Sequence, residues 1–250
     1  MAARSVSPSS SSGRAAIVRD VLAWLKRRGT ARNREGMARY GITSSRVFGV
    51  SMATMRPLVG RLGRDQPLAE ALWATGWLEA RILAGFVGRP DALTASGMDR
   101  WARDFDNWAV TDSTCLHLFA DSPLAWERVR AWRRRRGEFQ RRAAFALLAA
   151  LAVRSRAAPD ARFRDTLPWL VEAARDDRPY VRKAVNWALR QVGKRNLALH
   201  RAACRTAESI RRLDTPTARW IAADALRELR DPRTVARVIA HATTAAARHR

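Results

Sequence analysis

The sequence predicts an all-α fold of stacked helical repeats, and three observations lead to this prediction. From Ala15 onward, apolar residues recur with helical spacing in segments of about 10 to 18 residues. No stretch shows the sustained alternation of a β-strand. Short breakers separate the segments, and several place proline where a helix would begin, as its fixed φ permits. The breakers lie at residues 41–50, 88–90, 121–123, 176–179, 215–216 and 231–232.

The C-terminal half of the chain contains an internal repeat. Alanine-rich segments beginning at Arg142, Arg182 and Arg219 start 40 and 37 residues apart. Such spacings, with two helices per unit, are typical of HEAT-like repeats, whose stacked helix pairs curve into a concave surface. We therefore expect an α-solenoid, with a compact helical bundle as the alternative. The expected organisation is a disordered Ser-rich basic tail at 1–14, one repeat domain at 15–240 and a basic C-terminal tail at 241–250.

The charge balance favours a nucleic-acid partner. Lysine and arginine number 47 against 23 acidic residues, which gives a net charge of +24. Only Lys26, Lys183 and Lys194 are lysines, so almost all of the excess is arginine. Arginine binds phosphate in a bidentate manner. A bias in base composition toward arginine and alanine codons is the alternative explanation, because net charge reports on association and not on fold.

Several other classes of protein are disfavoured. The cysteines Cys115 and Cys204 are not in a CxxC arrangement, and the four histidines show no ligand spacing, so neither a disulfide framework nor a zinc site is expected. The chain has no apolar run of the length of a membrane span, and its first residues lack the apolar stretch of a signal peptide. We expect a cytoplasmic protein.

A helix around residues 179–195 is expected to have two contrasting sides. At 100° per residue, one side collects the apolar residues Val181, Val185, Ala188, Leu189 and Val192 and is the core face. The opposite side carries Tyr180, Lys183, Trp187, Arg190 and Lys194. Aromatic rings among cations suit a nucleic-acid backbone. Packing of this side against the next repeat is the alternative.

Asp112 is an acidic residue on an apolar helix face of a basic chain. It lies one turn after Trp108, on the side that also carries Trp101, Phe105 and Phe119, so we expect a carboxylate within an aromatic cluster. Burial disfavours the charged form of a carboxyl unless a cation compensates. Arg142, expected to project from the helix at 139–153 on the side opposite its apolar ridge, is the candidate cation. A structural Asp–Arg bridge between repeats is the alternative.

These residues coincide with a known pattern. Residues 107–112 (NWAVTD), 140–145 (QRRAAF) and 181–190 (VRKAVNWALR), together with MARY at 37–40 and FGV at 48–50, resemble the matching stretches of bacterial DNA alkylation repair glycosylases of the AlkD type. The resemblance implies HEAT-like repeats with a concave basic DNA-binding face. It also implies excision of N3-methyladenine and N7-methylguanine from duplex DNA without metal or cofactor.

Carried over by position, the resemblance makes Asp112 the catalytic carboxylate and places Trp108 and Trp187 against the deoxyribose of the lesion. It makes Arg142 a cation of the catalytic site that contacts the DNA backbone. The resemblance also implies that Tyr180 supports the cleft. Lys183 lies on the phosphate-binding side of its helix, where Arg190 and Lys194 are our own candidates for phosphate contacts.

The expected partner is double-stranded DNA with alkylated bases, bound by a monomer that needs no metal, cofactor or membrane. The chain departs from the family pattern at Asn107, where an aromatic residue is expected, and at Ala109, where a polar residue is expected. Two other functions remain open at this point. One is a non-catalytic repeat protein that binds nucleic acid, and the other is a protein-binding scaffold.

Overall fold

The computed structural model describes residues 11–247, and side chains for residues 11–240. The described part of the chain contains helices and no strand, which confirms the predicted all-α class. The chain divides into two compact units, the first ending at Pro123 and the second beginning at Leu124. The α-helices of unit 1 are α1 (Ser11–Arg28), α2 (Ala31–Arg39), α3 (Met52–Leu62), α4 (Gln66–Ala74), α5 (Leu78–Val87), α6 (Ala95–Arg103) and α7 (Trp108–His117).

Unit 2 contains the remaining helices. They are α8 (Ala125–Trp132), α9 (Glu138–Arg154), α10 (Asp160–Arg164), α11 (Leu167–Ala173), α12 (Pro179–Gly193), α13 (Leu197–Arg211), α14 (Pro216–Leu229) and α15 (Pro232–Ala247). Helix α1 begins four residues before the expected domain boundary at Ala15. The rest of the expected N-terminal tail, residues 1–10, and residues 248–250 of the expected C-terminal tail lie outside the described residues. No helix in the described part of the chain combines the length and the apolar character needed to cross a membrane.

Unit 2 has the pairing expected of helical repeats. Helix α8 packs against α9, α11 against α12, and α13 against α14. The second helices of these pairs also pack on one another, since α12 contacts both α9 and α14. Helix α13 in turn contacts α11 and α15. The alanine-rich segments that begin at Arg142, Arg182 and Arg219 lie in α9, α12 and α14. The repeat detected in the sequence is therefore a repeat of structure.

Close packing in unit 2 depends on small residues. The predicted core face of α12 is fully buried at Val181, Val185 and Val192. At the end of the helix, a Cβ on Gly193 would come within 2.7 Å of a methyl group of Leu229 and 2.9 Å of the Cβ of Ala203. Glycine at this position lets α12, α13 and α14 approach one another closely.

In unit 1, a buried carboxylate holds the loop between α2 and α3. Glu79 on α5 is 0% exposed. Its Oε1 accepts hydrogen bonds from the backbone N–H groups of Gly49 (2.7 Å) and Val50 (3.1 Å), and its Oε2 accepts from Phe48 (3.1 Å). Gly49 has φ +83°, and a Cβ there would lie 2.5 Å from the carbonyl oxygen of Thr30. The loop therefore needs glycine at its centre and a carboxylate beneath it.

A buried guanidinium on the same helix holds the loop between α6 and α7. Arg81 forms an ion pair with Asp106 at 3.0 Å and donates a second hydrogen bond to the carbonyl oxygen of Asp104. Its guanidinium lies over the ring of Trp73, 4.6 Å from the centroid. The indole Nε1 of Trp73 donates to the side chain of Asp104 at 2.8 Å. These contacts fix the point from which α7 starts.

Replacing Glu79 with Gln is expected to lower the free energy of unfolding by about 2 to 4 kcal/mol, because the amide nitrogen would face a buried N–H group that it cannot accept from. Chemical denaturation followed by circular dichroism measures the change. Glu35→Gln removes the same charge from an exposed position of α2 and should change stability by less than about 0.5 kcal/mol. Equal losses in the two variants would contradict a structural role for Glu79.

Candidate nucleic-acid interface

Helix α7 presents Trp108 and Asp112 on one face. The helix begins at Trp108 because Asn107 caps it, its side-chain oxygen accepting from the backbone N–H of Val110 at 3.0 Å. The Asn107 side chain also donates to Asp106 at 2.6 Å. Asn107 therefore has a structural role at a position where the family pattern leads one to expect an aromatic ring.

The indole of Trp108 is held by the chain segment that follows α2. Its Nε1 donates to the backbone carbonyl oxygen of Tyr40 at 2.9 Å. Trp108 and Asp112 are both half-buried, whereas Tyr40 is 78% exposed. The structure thus places an oriented indole one helical turn from a partly exposed carboxylate.

The aromatic surroundings of Asp112 differ from the expectation. Trp101, Phe105 and Phe119 are buried, and Trp101 stacks on Trp73 with 4.1 Å between ring centroids. Phe119 lies 6.1 Å from Trp101 and 6.4 Å from Phe105. These rings form the core of unit 1, because the chain turns between α6 and α7 and does not continue as one helix. Trp108 is the aromatic neighbour that shares the partly exposed face of α7 with Asp112.

Arg142 is buried, which corrects the expectation that it projects from its helix. Its residue is only 6% exposed, because α9 packs against both α8 and α12 and is enclosed along most of its length. The guanidinium donates to the backbone carbonyl oxygen of Tyr180 at 2.8 Å. The N–H group of Tyr180 donates to Glu138, also on α9, at 3.0 Å. Two charged side chains of α9 thus hold both polar groups of one residue at the start of α12.

The surface side of α12 carries the residues expected there. Lys183 is exposed, with its Nζ 6.0 Å from the ring centroid of Tyr180. Trp187 is half-buried. With the amide of Gln191 oriented to satisfy its neighbours, its oxygen accepts from Trp187 Nε1 and from Lys194 Nζ, each at 3.2 Å. Trp187 is therefore held at the surface by its own helix.

Two acidic residues of α14, which the sequence analysis did not identify, neutralise the end of this surface. Glu228 forms ion pairs with Arg190 and, at 2.6 Å, with Lys194. Asp224 accepts from the buried amide of Asn186 at 2.7 Å and lies 3.9 Å from Arg190 Nε. Burial alone would raise the pKa of Glu228, but the hydrogen bond from Lys194 and the neighbouring positive charges hold it below its ordinary value of 4.5. Arg190 and Lys194 thus have carboxylate partners within the protein.

The site residues of each unit are organised on short stretches of helix. Unit 1 brings Trp108 and Asp112 together on α7, and unit 2 joins Arg142 to Tyr180 and places the other cations on α12. Among the described residues, no group of three or more His, Cys, Asp or Glu side chains is arranged to hold a metal ion. The chemistry that this arrangement offers comes from a carboxylate, indole rings and guanidinium groups.

The fold and the sequence place the chain in a known class. A solved structure from "a new family of proteins related to the HEAT-like repeat DNA glycosylases with affinity for branched DNA structures" has the same fold, with a TM-score of 0.70. The sequences are 24% identical, and the match covers 77% of this chain and 82% of that one. The protein therefore has the HEAT-like repeat fold that its sequence predicts.

The sequence comparison gives the family. The family model described as DNA alkylation repair enzyme matches residues 21–229, most of the chain. The chain therefore belongs to the DNA alkylation repair enzyme family. A search of curated proteins finds no match.

The Glu228 ion pairs should make stability sensitive to acid. Folding lowers the pKa of Glu228, so the carboxylate stabilises the protein fully at a pH above its ordinary pKa of 4.5. This stabilisation is lost as the pH falls through the lowered pKa of the folded protein. The Tm of the wild type should therefore exceed that of Glu228→Gln at neutral pH, and the difference should vanish in acid. Thermal melts between about pH 7 and pH 3 test this. A difference independent of pH would contradict it.

Proposed function

We propose that this protein is a monofunctional DNA glycosylase that removes cationic alkylated purines, such as N3-methyladenine and N7-methylguanine, from duplex DNA in base excision repair. Membership of the DNA alkylation repair enzyme family supports the substrate class. The observation that carries the proposal is the half-buried carboxylate of Asp112, one turn from the fixed indole of Trp108, in a chain with a net charge of +24.

The reaction suits a carboxylate because of where charge develops. The bond between sugar C1′ and the base nitrogen breaks with its electron pair leaving on the base, which departs neutral because the alkylated purine was a cation. Positive charge then develops on the deoxyribose. Water adds to C1′ and gives up a proton, leaving an abasic site. Asp112 would stabilise the cationic sugar electrostatically and position the water.

Trp108 would present the face of its ring to the sugar. Because its Nε1 is bound to the carbonyl oxygen of Tyr40, its ring is fixed before DNA arrives. An indole face attracts groups that carry positive charge, including the sugar C–H groups of the transition state. A ring that is already oriented loses little conformational freedom on binding.

The residues of unit 2 are proposed to bind the DNA at and beside the lesion. Trp187 would contact the deoxyribose, and the buried Arg142 would act as a positioning residue whose hydrogen bond supports Tyr180. Lys183, Arg190 and Lys194 are proposed phosphate contacts. For Arg190 and Lys194, a phosphate would have to compete with Glu228.

The proposed reaction uses no lysine nucleophile, so the DNA strand is not cleaved. The chain has three lysines, and two of them, Lys183 and Lys194, lie on the proposed phosphate-binding side of α12. We therefore assign no Schiff-base chemistry, and the expected product is an intact DNA strand with an abasic site.

A second candidate function is the binding of branched DNA without chemistry. The solved structure with the same fold belongs to a family with affinity for branched DNA structures. A repeat fold with a large arginine excess is suited to contact several phosphate strands. The two functions differ in their products, because a binding protein would release no base.

Purified protein is expected to release N7-methylguanine from methylated duplex DNA, and Asp112→Asn is expected to release it at least about 100-fold more slowly while still binding DNA. Chromatography of the released bases measures the rate. The control Asp165→Asn makes the same change at an exposed position of unit 2 and should leave the rate unchanged. No base above the buffer blank would remove the enzyme proposal, and equal rates for the two variants would remove the role of Asp112.

Affinity for a four-way junction, compared with a linear duplex of equal length, separates the second candidate function from the first. A glycosylase should bind an alkylated duplex at least as well as the unmodified junction. If the junction is bound more than about tenfold more tightly and no base is released, the binding function is correct. Both affinities should be measured at one salt concentration, because phosphate contacts make binding strongly dependent on salt.

A further inference from the structure

Trp220 is an exposed tryptophan on α14. Its residue is 38% exposed, and it lies on the surface side of the helix between Arg219 and Ala223, which are also exposed. The interior face of α14 is formed instead by residues such as Ile221, Ala222 and Ala225, all fully buried. An exposed indole beside cations offers a ligand both an apolar face and positive charge.

The guanidinium of Arg182 lies over this ring. Its central carbon is 5.2 Å from the centroid of the Trp220 ring. Arg182 is half-buried, and the neighbouring Lys183 is exposed. Among the residues that the structure describes, no carboxylate forms an ion pair with either of these cations. Arg182 and Trp220 are here called the Trp220 platform, and within the described residues neither its guanidinium nor the adjacent ammonium of Lys183 is paired with a carboxylate.

The charges along α12 show a clear division. In the second half of the helix, Arg190 is neutralised by Glu228 and Asp224. In the first half, Arg182 and Lys183 contact aromatic rings and not carboxylates. An anionic ligand that approaches α12 therefore meets a cation that is not ion-paired in the described structure at the Trp220 platform, whereas farther along it must displace a carboxylate.

The same ring and cation pairing occurs elsewhere in unit 2 with its charge satisfied. Arg133 lies over Trp169 at 4.8 Å, but its guanidinium is bound to Glu172 at 2.8 Å. A cation over an indole is thus not enough to create an anion site. The missing carboxylate distinguishes the Trp220 platform from the pair of Arg133 and Trp169.

We infer that the Trp220 platform is a further nucleic-acid contact, outside the residues assigned to the lesion. Arg182 binds a backbone phosphate, and the indole of Trp220 packs against the adjacent sugar or an unstacked base. A guanidinium binds phosphate and an indole packs against a sugar or base, and a nucleic acid carries these groups next to each other. The inference rests on the proposed DNA binding of the protein but not on its proposed catalysis.

The test compares the platform with the satisfied pair. Trp220→Ala is expected to weaken DNA binding about tenfold, and Trp220→Phe much less, because phenylalanine keeps a ring face. The control Trp169→Ala should leave the affinity unchanged. Binding is measured by fluorescence anisotropy with a labelled duplex, and thermal melts show that each variant is folded.

Arg182→Gln gives a second and independent measurement. Loss of one phosphate contact should reduce the steepness of the fall in log affinity with log salt concentration by about 1. Arg133→Gln removes the same charge from the satisfied pair and should leave the slope unchanged. If the wild type binds DNA but Trp220→Ala and Arg182→Gln behave like their controls, the platform is refuted and the proposed function stands. If the wild type binds no DNA, both are refuted.

Discussion

Two opposite charges buried on one helix set the geometry of unit 1. Glu79 and Arg81 lie on α5, two residues apart, so they leave the helix in different directions. Glu79 gathers the N–H groups of residues 48–50, and Arg81 gathers the carbonyl and carboxylate of residues 104 and 106. Burying a charge is costly unless it is paired and hydrogen-bonded, and the partners of both side chains are loop groups. The two loops are therefore tied to the same buried helix.

The consequence reaches the proposed catalytic face. The loop held by Arg81 leads into α7 and so sets the position of Trp108 and Asp112. The loop held by Glu79 follows Tyr40, whose carbonyl oxygen binds the indole of Trp108. The backbone of Trp108 thus follows the loop held by Arg81, and its indole binds the residue that precedes the loop held by Glu79. A catalytic carboxylate stabilises a developing cation only when it is held in place beforehand, since reorientation would consume part of the electrostatic gain.

The helical periodicity of α12 was sufficient to predict its two sides. The buried valines at 181, 185 and 192 recur with helical spacing on one side, and the polar residues lie on the other. The periodicity failed for α9. That helix is enclosed on several sides, so its alanines are buried all around and no polar face remains to show where Arg142 points. The carbonyl oxygen of Tyr180, 38 residues away, satisfies the buried guanidinium, and only the tertiary structure brings the two together. Similarly, the pairing of Glu228 with Arg190 joins neighbouring repeats. The cap at Asn107, by contrast, was predictable, since Asn directly before a helix is a common N-cap residue.

Many of the arginines are already bound within the protein, so the arginine excess is larger than the charge available to DNA. Arg34, Arg46 and Arg64 donate to backbone carbonyl oxygens of loops and helix ends. Arg195 does the same at the end of α9, where burial lowers its pKa. Others, such as Arg133 and Arg190, are bound by carboxylates. An arginine whose carboxylate must first be displaced gains little on binding phosphate, because one charge-assisted contact replaces another. Affinity for DNA should consequently depend on the cations without such partners, and on α12 these are Arg182 and Lys183, which lie against aromatic rings.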